Sequence, residues 1–277
     1  MKAKKLPLLI LITLFIFTSS LSGCTVIDEL KIKTGMKNTD FEYIKEKKVD
    51  RIVIQSTRDK GFRFLVNDTD VIKDIYDILS KAKKVTEKTD LDPDYIFEIH
   101  MGDEVKSFYY VTGFNENKEG NFYDDNNIYK ISTRLDNDII QNLSFIRKPR
   151  EFKNIYYDST LTALSEHKDL LNQGNKKVGI DILGDIDCAK YLLSVEIEDF
   201  KRRLKEIIPN SEIMNHNRED FDIIVSVRNY GYKTTTYKTI IKIENKQDHS
   251  ENKFYVDGKY NNSWNIEVFD KMPDSWK

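Results

Sequence analysis

Two neighbouring runs of alternating residues restrict the first half of the chain to an antiparallel sheet. Apolar residues occupy every second position from Tyr95 to Met101, and a second apolar-rich run extends from Val105 to Val111. Gly102-Asp103 lies between them and has the composition of a tight hairpin turn. Successive side chains of a strand point to opposite faces, so alternation predicts strands with one buried face. The two runs therefore predict a β-hairpin.

The segments around this hairpin predict a mixed α and β unit. Alternation over Ile52–Ile54 and Phe62–Val66, with the turn residues Asp59-Lys60-Gly61 between them, predicts an earlier hairpin. Apolar residues at helical spacing predict a helix over Val71–Leu79, and capping candidates precede it. A strand over Ile128–Ser132 and a helix with apolar positions from Leu135 to Leu143, capped by Thr133, complete a ββαβββα order.

A second unit is predicted after Lys148-Pro149-Arg150, because the residue before a proline disfavours helix. A helix over Ser159–Leu171 and a strand over Lys177–Leu183 follow. Residues 186–208 allow two interpretations: one long helix, or a strand and then a shorter helix with Ser194 as its cap. We prefer the shorter helix, Val195–Ile208, which Pro209 would end.

The rest of the chain predicts further strands. They cover Phe221–Val227, Thr234–Ile243 and Lys253–Val256, with turns at Asn229-Tyr230-Gly231 and Asp257-Gly258. Trp264, Ile266, Val268 and Phe269 suggest an added edge strand. We therefore predict an α+β protein of two small units, residues 49–148 and 151–277, each an antiparallel sheet with helices packed on one face.

The N-terminus has the order of a secretion signal. Three lysines precede the apolar run Leu6–Phe17, which is too short for a membrane-spanning helix, and a small, polar stretch follows. Leu21-Ser22-Gly23-Cys24 resembles the lipobox of bacterial lipoproteins. The resemblance implies a signal peptide over residues 1–23, cleavage before Cys24, and a diacylglyceryl group with a further acyl chain such as palmitate on Cys24. The charged residues 24–48 then predict a tether, in which a short helix around Phe41–Lys47 is an option.

The lipobox resemblance implies a cellular location and one partner, the membrane. Lipid on Cys24 would hold the protein on the outer face of the cytoplasmic membrane, and abundant Lys, Ile, Asn and Asp are typical of a low-GC Gram-positive source. Removing three lysines with residues 1–23 leaves 41 basic and 46 acidic residues, a net charge of −5, which argues against nucleic acid as a partner. Cys188 is then the single remaining thiol, and its apolar neighbours predict a core residue.

Two short segments carry a second resemblance. Asp92-Pro93-Asp94-Tyr95-Ile96-Phe97 leads into a predicted strand, and Ile128–Ser132 precedes the last helix of the first unit. With these, residues 49–146 resemble the YhfM-like domain of small lipoproteins from Bacillus and relatives. The resemblance implies the fold and the address, and it implies no activity.

The remaining motifs favour a protein without a reaction centre. Ser165-Glu166-His167-Lys168 has the Ser-x-x-Lys spacing of penicillin-interacting enzymes, but Lys33-Thr34-Gly35 precedes it, whereas that family's Lys-Thr-Gly follows the nucleophile. Residues 115–126 imitate half a calcium loop and have Asn126 where the loop needs Glu. The four histidines are scattered, and no nucleotide motif is present. We therefore expect no enzyme activity, no metal and no cofactor.

Aromatic residues provide the one candidate binding surface. Tyrosine and phenylalanine at Phe108, Tyr110, Phe122 and Tyr123 could bury area against a partner, although strand propensity explains them as well. We favour a noncatalytic binding or accessory module of the cell envelope, whose sheets contact an envelope protein or a cell-wall component. The alternative is a small-solute receptor or hydrolase whose site is assembled from scattered residues.

Overall fold

The structure is a computed structural model that describes residues 30–32, 36–46, 49–114, 118–143 and 147–276. The predicted signal peptide, Cys24 and most of the candidate calcium loop's first ligands lie outside the described residues. Within these residues, no helix is both long and apolar enough to cross a membrane.

The chain combines helices with mainly antiparallel sheets, which agrees with the α+β class. The strands are β1 Arg51–Ser56, β2 Arg63–Val66, β3 Lys83–Val85, β4 Glu87–Lys88, β5 Tyr95–Met101, β6 Glu104–Tyr110, β7 Glu119–Gly120, β8 Phe122–Tyr123, β9 Ile128–Lys130, β10 Val178–Asp181, β11 Ser211–Ile213, β12 Ile223–Lys233, β13 Thr236–Asn245, β14 Ser250–Asn261 and β15 Ser263–Phe269. The α-helices are α1 Glu42–Lys45, α2 Thr69–Leu79, α3 Gln141–Leu143, α4 Phe152–Glu166, α5 Lys168–Leu171 and α6 Ser194–Ile207. Single turns of other helix types cover Ala189–Tyr191, Arg218–Asp220 and Asp274–Trp276, and a π-helix covers Leu135–Ile140.

The first sheet has seven strands in the order β2-β1-β5-β6-β8-β9-β3, and every pairing in it is antiparallel. Both predicted hairpins, β1–β2 and β5–β6, are confirmed. Helix α2 is confirmed as well, and it begins at Asp68, whose carboxylate accepts the backbone N–H groups of Asp70 and Val71. The last predicted helix is present, but its first six residues are π-helical and no side chain caps it. The two-residue strands β4 and β7 were not predicted and pair in parallel beside the sheet.

Residues 36–46 pack against this sheet, although they fall in the predicted tether. Phe41 is 1 % exposed and Ile44 3 % exposed, and both belong to the core under the first sheet. The Asn38 side-chain amide donates to the carbonyls of Leu79 and Ala82, at 2.9 and 2.7 Å, where α2 ends. The tether prediction is therefore wrong for these residues, whereas the optional short helix is present as α1. Phe41 and Ile44 have helical spacing, but two apolar positions are too few for a sustained periodic signal.

The second sheet has six strands in the order β11-β10-β12-β13-β14-β15. Strand β10 runs parallel to both neighbours, β11 and β12, whereas the other pairings are antiparallel. The prediction of a purely antiparallel sheet is therefore wrong at this edge. Helix α6 connects β10 to β11, and a helical crossover returns the chain to the end where a parallel strand must start.

Two predicted turns lie inside long strands. Gly231 is in β12, where the pairing with β13 shifts register at a bulge, and its φ of 140° is open to glycine alone. Gly258 is in β14, and a Cβ there would lie 2.7 Å from Cδ1 of Ile155 on α4. These glycines therefore permit a bulge and a close helix, not a reversal of the chain.

The ambiguous residues 186–208 form a single 3₁₀ turn and then α6. The preferred shorter helix is confirmed within one residue at each end, and no strand precedes it. The Ser194 hydroxyl does not cap the helix, since it makes no hydrogen bond to the backbone of α6.

The second sheet buries one face against helices. Along β13, every second residue from Tyr237 to Asn245 is buried, and α4 contacts β13, β14 and β15 on that side. The packed residues form a core separate from the one under the first sheet.

Candidate functional site

The four aromatic residues predicted to form a binding surface do not form one. Phe108, Tyr110 and Phe122 are at most 3 % exposed and belong to the core under the first sheet, where the rings of Phe108 and Phe122 stack at 4.8 Å. Tyr123 lies on the other side of the sheet and is 7 % exposed. The prediction is wrong because strand propensity and burial, not binding, explain these side chains.

We call the side of the first sheet opposite its core the open face, although Val53 and Tyr123 on it are buried. Lateral pairing places on it alternate residues of five strands. Its residues are Arg51, Val53, Gln55, Arg63, Leu65, Ile96, Glu98, His100, Val105, Ser107, Tyr109 and Tyr123.

The open face exposes large apolar side chains. Leu65 is 60 % exposed, Val105 46 % and Tyr109 38 %. Leu65 lies beside Val53, which is 1 % exposed, and Tyr109 lies beside the half-buried Ile96, so each has one apolar neighbour on the next strand. Leu65 on β2 is separated from Tyr109 on β6 by strands β1 and β5, and Ser107 lies between Val105 and Tyr109, so the three do not adjoin one another. They share one sheet face, and a partner that covered this face would bury all three.

Charged residues cross the middle of the open face. The guanidinium of Arg63 lies 3.6 Å from the Glu98 carboxylate, which lies 3.4 Å from Nε2 of His100. The other ring nitrogen of His100 lies 3.2 Å from Arg51. Arginine and tyrosine are enriched in protein interfaces, so this mixture of side chains fits a binding surface.

Tyr109 is the functional candidate that the sequence prediction missed. Its ring packs against that of Tyr123 at 5.7 Å, and the Lys88 ammonium lies 4.8 Å from the Tyr123 ring centre. Period-two alternation places Phe108 and Tyr110 on one face of β6 and Tyr109 on the other. The segment is aromatic on both sides, so it contains no signal for which face is buried.

A polar cluster links the segments that carry the two sheets, and we call it the junction. Its centre is Asp94, of the motif that precedes β5. One carboxylate oxygen accepts Arg58 Nη1 at 2.6 Å and the Ser194 backbone N–H at 2.8 Å, and the other accepts the Thr112 N–H at 2.8 Å. Burial raises the pKa of Asp94 above its ordinary value, and the Arg58 guanidinium opposes that shift.

The junction caps helix α6 from outside its own segment. Ser194 is the first residue of α6, so its N–H has no partner within the helix, and Asp94 accepts it. The Ser194 hydroxyl donates to the Asp92 carbonyl at 2.6 Å and accepts Arg58 Nη2 at 2.5 Å. Because its proton and one lone pair are engaged and no base adjoins it, this serine is not arranged as a nucleophile.

Small cavities adjoin the junction. One of about 260 Å³ is bordered by Arg58, Asp92 and Lys201, and one of about 330 Å³ lies beside it at Phe114 and Val195. Burial raises the pKa of nearby Glu196 to about 7, although Lys153 and Lys148 lower it.

A second buried polar group lies in the core of the second sheet. Cys188 is fully buried, which agrees with its expected core position, and burial raises the pKa of its thiol, with Asp185 adding to the shift. Burial also raises the pKa of Asp185 to about 6. Across the described ranges, no group of three or more His, Cys, Asp or Glu side chains is placed to hold a metal ion.

Comparisons with known proteins give one match. No curated protein and no solved structure is similar to this chain. The YhfM protein family matches residues 45–149, the part that contains the first sheet, the open face and Asp94. The resemblance stated for residues 49–146 is confirmed, and a YhfM family domain is found in this part of the chain.

Proposed function

We propose that the protein is a noncatalytic binding module of the cell envelope, held on the outer face of the cytoplasmic membrane by lipid on Cys24. Its partner is an envelope protein or a cell-wall component, and it binds to the open face. The lipobox resemblance of Leu21–Cys24 supports the address.

The observation that carries the binding role is the exposure of Leu65, Val105 and Tyr109 on one sheet face. Each large apolar side chain that is left exposed costs free energy in water. A partner that covers them recovers that free energy, and the Arg63–Glu98–His100 chain offers directional contacts beside them.

The proposal includes two folded units, one around each sheet. Separate cores and the boundary near Pro149 support it. The first unit provides the open face, and the junction holds the second unit to it through Asp94 and Ser194.

Site-specific crosslinking on intact cells tests the binding role. A photoreactive residue replaces Val105 on the open face, and in a control chain it replaces Lys253 on β14, whose side chain is about as exposed at 52 %. We expect one specific product from position 105 and none of the same mass from position 253. Tyr109→Ser should reduce that product about tenfold or more, as loss of a central aromatic contact does.

Equal products from both positions, or a product that Tyr109→Ser leaves unchanged, would contradict the use of the open face. Recovery of the chain from the soluble fraction after cell lysis would contradict the lipid address. The alternative, a small-solute receptor or hydrolase, would instead use the cavity of about 260 Å³ beside Arg58. It predicts that Arg58→Ala abolishes ligand binding while Tyr109→Ser does not.

A further inference from the structure

A groove lies on the far side of the first core from the open face, between helix α2 and a wall formed by residues 36–46 and Val49. Its volume is about 990 Å³. Ile44, Ile72 and Tyr76 form its apolar walls, and polar residues form its rim. It is larger than both cavities beside the junction.

The rim of the groove is basic. Five lysines line it against two aspartates, although the chain from residue 24 onward has a net charge of −5. Two of the lysines have acidic neighbours: Lys73 lies 3.8 Å from Asp77, and Lys37, whose side chain is 11 % exposed, lies 3.3 Å from Glu42. The lysines are Lys31, Lys37, Lys45, Lys73 and Lys81. This local excess of positive charge is complementary to an anionic surface.

Exposed apolar side chains accompany the lysines. Met36 lines the groove and is 66 % exposed, and the preceding residues Leu30 and Ile32 are 58 % and 38 % exposed. Lysines around apolar side chains are the composition of protein surfaces that rest in the headgroup region of a membrane.

The length of chain places the groove near the membrane. Met36 lies twelve positions after Cys24, so the two are at most about 40 Å apart when the chain is fully extended. The actual separation is shorter wherever the chain is not extended. A lipid on Cys24 would therefore keep the groove within reach of the headgroups.

We propose that this groove docks on the anionic phospholipid surface of the membrane. The docking deepens the proposed function, since the lipid on Cys24 delivers the groove to that surface. Lysines at the rim contact anionic headgroups, and Met36 enters the apolar boundary beneath them. Docking orients the first sheet with α2 toward the lipid and with the open face directed away from it, toward envelope partners.

Photoactivatable lipids test the docking on the purified full chain. Vesicles of phosphatidylcholine, with or without phosphatidylglycerol, carry a trace of photoactivatable phosphatidylglycerol or photoactivatable phosphatidylcholine, and crosslinked peptides are mapped by mass spectrometry. We expect crosslinks in residues 36–46 and 69–81, about tenfold more with the anionic probe than with the zwitterionic one.

Charge variants provide the matched comparison. Each lysine near an anionic surface contributes about fivefold to binding, so replacing Lys45, Lys73 and Lys81 with Gln should reduce these crosslinks at least about tenfold. Replacing Lys201, Lys253 and Lys259 with Gln changes the net charge equally on exposed surfaces elsewhere and should leave them unchanged.

The outcomes separate the docking from the lipid address. Co-sedimentation with pure phosphatidylcholine vesicles reports the acyl anchor on Cys24. A chain that does not co-sediment with them would refute the lipid anchor, and the crosslinks would still decide the docking. Crosslinks that are equal with both probes, that map outside the groove, or that both triple variants reduce equally would overturn the docking.

Discussion

Asp185 shows how one buried carboxylate makes the free energy of unfolding depend on pH. It is 2 % exposed beside Cys188, and its Oδ2 atom has no hydrogen-bond partner. Burial raises the pKa of Asp185 from 3.8 to about 6, so the folded state holds this proton more tightly than the unfolded state does. Its contribution to stability is therefore complete below about pH 4 and is lost as the pH rises through about 6.

Asp185→Asn should remove that pH dependence. A shift from 3.8 to about 6 corresponds to about 3 kcal/mol, so between about pH 4 and pH 7 the variant should become more stable relative to wild type by about that amount. Urea unfolding at several pH values measures the difference. Asp125→Asn, at an exposed position between β8 and β9, is the control, and a pH-independent difference for the Asp185 variant would refute the argument.

Phe41 tests whether residues 36–46 belong to the fold. Its ring packs against Tyr129 at 5.0 Å and Phe108 at 5.7 Å. Phe41→Ala should reduce the free energy of unfolding by about 3 to 5 kcal/mol, the cost of removing a fully buried aromatic ring. Met36→Ala, at a 66 % exposed position, should change it by less than about 0.5 kcal/mol. Similar small effects from both would mean that the segment is a tether after all.

Among the elements, the contact of α4 with β14 depends on a glycine. A Cβ at Gly258 would lie 2.7 Å from Cδ1 of Ile155, which is closer than two non-bonded carbon atoms approach in proteins. Gly258→Ala should therefore destabilise the protein by about 1 to 3 kcal/mol.

Ile155→Val removes the Cδ1 atom that causes this clash. In that background, Gly258→Ala should cost clearly less than it does in the wild type, and a double-mutant cycle from urea unfolding measures the coupling. Strictly additive effects would show that something other than the helix contact requires glycine there.

Helix α6 depends on a cap from a distant part of the chain, and this links the element to the whole molecule. Asp94 accepts the N–H of Ser194 across 100 positions of sequence. The same carboxylate holds Arg58 and Thr112, so three segments meet on one side chain. Loss of this side chain leaves Arg58, whose side chain is 13 % exposed, without its charge partner.

Asp94→Ala should uncouple the unfolding of the two sheets. Breaking a buried ion pair from one side costs about 3 to 5 kcal/mol. The chain has two tryptophans, Trp264 and Trp276, and both report on the second sheet, whereas far-UV circular dichroism reports on both sheets. We expect the two signals to give one urea transition in wild type and two different midpoints in the variant.

The matched control for this comparison is Asp90→Ala, at an exposed position near the junction. It should leave the two midpoints coincident. Coincident midpoints in Asp94→Ala would show that the two sheets unfold as one unit regardless of the junction.

Alternation and helical spacing were sufficient to predict the hairpins β1–β2 and β5–β6, helix α2 and helix α6. These elements have strong local periodicity, and the physical basis of that signal is contained in a few consecutive residues. The two-residue strands β4, β7 and β8 are too short for any period, and Gly231 and Gly258 have the composition of turns while they lie inside strands. Local composition cannot separate a glycine that reverses the chain from one that admits a bulge or a helix.

Tertiary packing decided the features that matter for binding. Phe41 and α2 share a core with one face of β6. The side chains on that face, Phe108 and Tyr110, are therefore buried, whereas Tyr109 on the other face is exposed. The groove exists because helices α1 and α2, far apart in sequence, lie against each other and bring Ile44 and Ile72 to its walls. A strand's alternation is symmetric between its two faces, and only contacts with other elements break that symmetry.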